Sequence, residues 1–226
     1  MVLVGAALAR LSVSGSYTNY VKPGLGIPLL CAGVAVLGLG LWTLVADSTR
    51  AGPGQDQERH SHSHSAPRVA WLLCLPVFAL YVVAPPALGS YAANLDSVSV
   101  TDPDWDAYPP LPRGDPVDIT LVDFTIRAVW DNGDTLAHRR VRIIGFVTPR
   151  GDGTWDLTRL QMTCCAADVR SNRVQAVGAD PEPADTWVRV IGHWIPGGGT
   201  KRGDAVPLLE IESVEVIDQP RQPYEF

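Results

Sequence analysis

Two long uncharged apolar runs limit what this chain can fold into more than any other feature. The first covers about residues 24–46 (GLGIPLLCAGVAVLGLGLWTLVA) and the second about 69–90 (VAWLLCLPVFALYVVAPPALGS). Each is close to the roughly 20 residues that carry a helix across a bilayer core. Trp42, Trp71, Tyr81 and Tyr91 lie mostly near the ends of these runs, where amphipathic rings favour the headgroup region. A pair of buried helices in a soluble protein is the competing reading, and uncharged runs of this length weigh against it. A third stretch, Met1 to Val13, is shorter and contains Arg10, so it reads as a truncated first helix. The expected N-terminal half, residues 1–92, is therefore an α-helical anchor in the lipid bilayer, with two full spans and a short first helix.

Charge divides the chain at about the same place. The net is +2 through Ala92 and −8 beyond it, for −6 in total. No basic stripe of the kind that grips nucleic acid is present, so nucleic acid is excluded as a partner. Arg50, Arg59 and Arg68 precede the second run, whereas Asp96, Asp102, Asp104 and Asp106 follow it. The positive-inside rule then puts the intervening loop in the cytoplasm and the C-terminal half outside, and Arg10 and Lys22 pull the other way. Lys22 and Lys201 are the only lysines, and Ala, Gly and Pro abound. That bias matches a high-GC bacterial genome, so the expected location is a bacterial cell membrane, multi-pass, with an extracytoplasmic C-terminal domain.

Between the apolar runs, residues 47–68 (DSTRAGPGQDQERHSHSHSAPR) cannot bury a core. His60, His62 and His64 alternate there with serine, and neutral imidazoles on a pliable segment can hold zinc or a similar borderline ion. A solvated low-complexity linker is the plain alternative. Residues 93–115, rich in Pro and Asp, read either as an extended linker or as an irregular arm packed on the next domain.

The second half carries strand patterns. Leu121, Phe124 and Ala128 predict a short helix that Asp131-Asn132-Gly133 stops. After it, strands are predicted over 140–147 and 155–164, 174–177, 187–195 and 206–217, with internal Gly145 and Gly192 at bends. Five strands in about a hundred residues predict a mostly β, OB-like small barrel over 116–218, with a β-sandwich fragment as the alternative. Residues 219–226 read as a frayed tail.

Cys164 and Cys165 are the chemistry-bearing pair in this half. Thiolates are ligands for soft metal ions, and Asp168 stands close enough in sequence to add an oxygen. In a continuing strand the two side chains would point to opposite faces, so both can reach one ion only where the strand ends. The bland alternative is one core cysteine beside an exposed passenger. No nucleophile elbow, phosphate loop or HExxH is present, and the expectation is a non-enzymatic protein.

These stretches together resemble one family. YVKPGL at 20–25, the His-rich loop, YPPLP at 108–112, RVRIIGFVTPR, LTRLQMTCCAAD and DTWVRVIGHW are similar to the YcgQ-type bacterial membrane proteins. The resemblance implies an accessory subunit that works beside a multi-span permease. It also raises the alternative of a metal-homeostasis protein using Cys164, Cys165, Asp168 and the three histidines, with zinc or a soft metal ion as the bound species. A membrane-tethered thiol oxidoreductase is the third reading.

Overall fold

The computed structural model describes residues 1–50, 74–83, 86–95, 100, 108–198 and 206–226. It divides into two compact units, Met1–Pro86 and Ala87–Phe226. The first unit holds α1 (Val2–Ser14), α2 (Gly26–Arg50) and α3 (Cys74–Val82). Gly15, at φ 78°, takes the left-handed conformation that ends α1.

Helices α1 and α2 pack antiparallel through small residues, so their backbones touch. A Cβ on Gly5 would sit 2.5 Å from the Leu37 amide nitrogen, and one on Gly33 would sit 2.9 Å from that of Ala9. Close approach through glycine and alanine is how helices pair where hydrophobic contrast with the solvent is missing, as in lipid. Arg10, an expensive charge on an apolar helix, donates to the Tyr81 carbonyl, and its guanidinium lies 4.7 Å over the Tyr81 ring.

One apolar helical segment among the described residues, Pro23–Thr49, is 27 residues long and can cross a membrane by length and composition. Only 11% of its apolar window is buried, and Leu39, Trp42, Leu44 and Val45 are exposed, so it is not a core helix of this unit. It has the properties of a membrane anchor or a signal sequence. Of the two expected full spans, one is matched by a helix among the described residues. Of the second run, the described helix is the nine-residue α3, and the chain leaves helical geometry after Val82. Multi-pass topology is accordingly not established. His60, His62 and His64 lie outside the described residues.

In the second unit the β strands close on themselves. These are β1 (Val117–Asp118), β2 (Arg140–Pro149), β3 (Trp155–Gln161), β4 (Arg170–Val177), β5 (Trp187–Ile195), β6 (Leu208–Val216) and β7 (Tyr224–Glu225). The order β2-β5-β6-β4-β3 returns to β2, because β2 also pairs with β3, and the result is a small five-stranded barrel. Within the barrel, neighbours are antiparallel except β4 and β6, which run parallel, as do the short β1 on β2 and β7 on β3.

Alternation supplies the core: Val141, Ile143 and Val147 on β2, Trp155 and Leu157 on β3, Val188 and Val190 on β5, and Leu209 and Ile211 on β6 face one interior. The two internal glycines have separate causes. At Gly192 the β5–β6 register shifts, and a Cβ there would sit 2.2 Å from the Glu210 carbonyl oxygen. At Gly145 a Cβ would sit 2.7 Å from the Thr158 carbonyl oxygen, just before β2 takes on its second neighbour.

Helix α5 (Leu121–Trp130) adds Leu121 and Phe124 to this core. Thr120 caps it by accepting from the Asp123 amide, and Asn132 and Gly133, both at positive φ, stop it as predicted. Arg127, nearly buried, pairs with Asp123 at 2.8 Å and donates to the Pro109 carbonyl and to Thr135. Leu111 belongs to the core. Residues 108–114 are thus an arm packed on the barrel, while 96–99 and 101–107 lie outside the described residues.

The frayed tail predicted for residues 219–226 is corrected. Tyr224 and Glu225 form β7 on the edge of β3, and Tyr224 packs with Ala93 of α4 (Ser90–Leu95), Phe146, Leu160 and Met162. The Glu225 carboxylate accepts from the Leu121 and Val122 amides at 3.0 and 2.9 Å and faces Arg159 at 3.9 Å. These amides are orphan donors of α5, so a distant carboxylate completes its N-terminus. Burial raises the Glu225 carboxyl above its usual range, against the lowering effect of the two amides and Arg159.

Two outcomes are expected. Gly5→Val separates α1 from α2, which is read as faster amide hydrogen exchange in α1 of the full chain in detergent. Glu225→Ala leaves two amides without acceptors and costs about 1–3 kcal/mol in urea unfolding followed by tryptophan fluorescence. Glu225→Gln, which keeps one acceptor, falls between wild type and Ala.

Candidate metal centre

The site is built at the end of β3. The ladder stops at Gln161, and the last backbone bond, from the Met162 amide to the Glu225 carbonyl at 2.9 Å, anchors the chain before it turns. Met162 is buried beside Tyr224. Thr163 and Cys164 are exposed, Cys165 is half-buried, and a short 3-10 turn over Ala166–Asp168 follows. The strand predicted to run to Cys164 therefore ends three residues early. That removes the alternation that would have sent the two sulfurs to opposite faces.

Asp168 makes the turn. Its Oδ1 accepts from the Thr163 amide at 2.9 Å, and its Oδ2 accepts from the Cys164 and Cys165 amides at 2.7 and 3.2 Å. In return the Asp168 amide donates to the Cys165 side chain, the reciprocal arrangement of a capping box. The Cys164 thiol also donates to the carboxylate. The three amides and the thiol together fill the roughly four lone-pair positions of a carboxylate. Asp168, expected as an oxygen ligand, also holds the backbone of the turn through these amides. The spacing Cys165-x-x-Asp168 is a capping-box spacing, and that signal was available in the sequence.

One donor atom each from Cys164, Cys165 and Asp168 lies within 4.8 Å of the others. Among the described residues these are the His, Cys, Asp or Glu side chains that converge as a metal-ligand group. Both cysteines are free thiols. His193 pairs with Glu210 at 2.9 Å. Cys31 lies alone and exposed on α2. Asp156 is a buried strand residue paired with Arg150 at 2.8 Å.

Electrostatics set the protonation of the cluster. Donation to Asp168, then the hydrogen bond with Cys165, pushes the Cys164 thiol up to about 11. The same thiol bond, assisted by the three amides, lowers Asp168 to about 2. At neutral pH the pair is thus a neutral thiol on a fixed carboxylate.

Residues 123–226 match the family model of the DUF1980 C-terminal domain. That segment contains nearly all of α5, the whole barrel, the cysteine turn and β7, whereas residues 1–122 lie outside it. None of the curated proteins and none of the solved structures matches the chain.

Alkylation tests the protonation state. Between pH 7 and 9 the wild-type Cys164 thiol reacts with iodoacetamide more slowly than a model thiol, and the rate keeps rising with pH past the ordinary cysteine range. Asp168→Asn removes the main cause of the raised value and speeds the reaction near neutrality; an unchanged profile would show that the carboxylate does not control the thiol.

Proposed function

We propose that this chain is a membrane-tethered, non-enzymatic protein whose barrel binds a thiophilic metal ion through Cys164 and Cys165. The observation that carries the reading is the convergence of two sulfurs and a carboxylate within 4.8 Å on a turn fixed by that carboxylate. Two adjacent thiols on one turn give soft donors, which favour zinc or a softer ion over magnesium or calcium. Asp168 acts as the outer partner that orients both cysteines. When an ion takes the place of the Cys164 proton, the acceptor position on Asp168 that held that thiol becomes available to it.

The strand order, closed by one parallel β4–β6 pair, supports an OB-type reading of the barrel. Such barrels hold many kinds of ligand, so function rests on the turn and not on the architecture. The long apolar helix supports tethering to a bacterial membrane, and the charge pattern supports an extracytoplasmic barrel. Resemblance to the YcgQ-type proteins supports a place beside a multi-span permease, with the bound ion as cargo or signal.

Isothermal titration of the full chain in detergent with zinc or cadmium is expected to give one ion per chain at the cysteine turn. Replacing both Cys164 and Cys165 by Ser abolishes that binding, and replacing His60, His62 and His64 by Gln leaves it in place. Asp168→Asn weakens it about 10–100-fold, as loss of an outer-shell partner does. Unchanged stoichiometry and affinity in the double serine variant would end the proposal.

A further inference from the structure

Among the described residues, the converging donor set has three members, one fewer than a closed zinc site uses. Structural zinc sites are closed by four protein ligands, whereas sites that exchange a ligand keep a position open. Here the converging group has three members among the described residues, and one of them, Asp168, already serves three backbone amides. Nothing bulky covers the sulfurs from the turn itself: Thr163, Cys164 and Ala167 are exposed, and Ala166 is small. Behind the sulfurs the chain is held firmly, by the Met162–Glu225 backbone bond on one side and the Asp168 bonds on the other. The turn is therefore anchored on the protein side, while Thr163, Cys164 and Ala167 are exposed on the solvent side.

We infer that the Cys164–Cys165 turn is an exchange site, which holds its ion with an open coordination position filled by a thiolate or imidazole from another molecule. This rests on the metal-binding reading above. The exchange step is a ligand substitution with no change of oxidation state. A metal–water bond breaks, a metal–sulfur or metal–nitrogen bond forms, and an incoming thiol gives its proton to solvent. A soft or borderline ion already on two sulfurs accepts such donors in preference to a further carboxylate. The chemistry fits a small cellular thiol and a cysteine or histidine of a delivery partner equally, and both act through the same open position.

Cobalt(II) is a suitable probe, because its sulfur charge-transfer absorption grows with the number of thiolates and its ligand-field bands report geometry. The full chain in detergent, with His60, His62 and His64 replaced by Gln, is saturated with Co(II) and then titrated separately with 2-mercaptoethanol and with imidazole. The expected result is a two-thiolate spectrum at one ion per chain. Mercaptoethanol raises the charge-transfer band from two thiolates to three, and imidazole shifts the ligand-field bands without raising it. A Co(II) spectrum that neither ligand alters would overturn the exchange site while leaving metal binding intact. One ion for every two chains with a four-thiolate spectrum would overturn it as well. Absence of any Co(II) and zinc binding sinks the underlying metal reading instead.

Discussion

The barrel depends on one residue position at which β2 has two neighbours. Phe146 is paired with Trp187 on β5 and with Thr158 on β3, so the sheet closes there instead of ending in open edges. Closure requires β2 to bend, and Gly145 allows it by letting the Thr158 carbonyl approach where a side chain would collide. On the outer side of the same position, the Phe146 ring meets Trp187 edge-on at 5.5 Å and joins the cluster that covers β3 and β7. Register, bend and outer packing therefore share one locus. The end of β3, from which the cysteine turn departs, is aligned by it.

That alignment reaches the turn through the last residues of the chain. Tyr224 and Glu225 extend the edge of β3, the Glu225 backbone holds Met162, and its side chain closes the N-terminus of α5. A single residue thereby connects the barrel edge, the plugging helix and the strand end beside Cys164. Arg159 completes the arrangement, stacked on Trp187 at 4.8 Å and facing Glu225. Burial lowers the Arg159 pKa and raises that of Glu225, so each group is held by the other's charge in a place neither would occupy alone.

Much of this was legible from residues in order. The alternation in RVRIIGFV and WVRVIGHWI located β2 and β5, and both glycines mark bends. Asn132-Gly133 ended α5 where their left-handed preference requires. Long-range pairing was harder to read. Nothing local in 219–226 announces a strand, because β7 is two residues long and is stabilised by partners on β3 and α5. The same holds for Leu111 and Arg127, whose burial depends on an arm arriving from Pro109 and its neighbours. In the apolar half, composition cannot tell a span from a shorter helix. Both runs have the right length, and among the described residues one helix is long and apolar enough to cross a bilayer.

The cysteine pair shows how a local rule and a tertiary contact combine to decide chemistry. Strand alternation would have parted the sulfurs, and the outcome turned on where β3 ends. It ends at Gln161 because the following backbone amides have a better acceptor than a neighbouring strand: three of them in succession are taken by the Asp168 carboxylate. An ionised acceptor makes hydrogen bonds roughly twice as strong as a neutral carbonyl does. The carboxylate is thus both the reason the strand stops and the reason the thiols share a side, and its charge also keeps the Cys164 proton in place. Structure and chemistry at this turn have one cause. A substitution at Asp168 acts on both together, whereas substitutions at the cysteines remove the donors and leave the carboxylate that holds the turn.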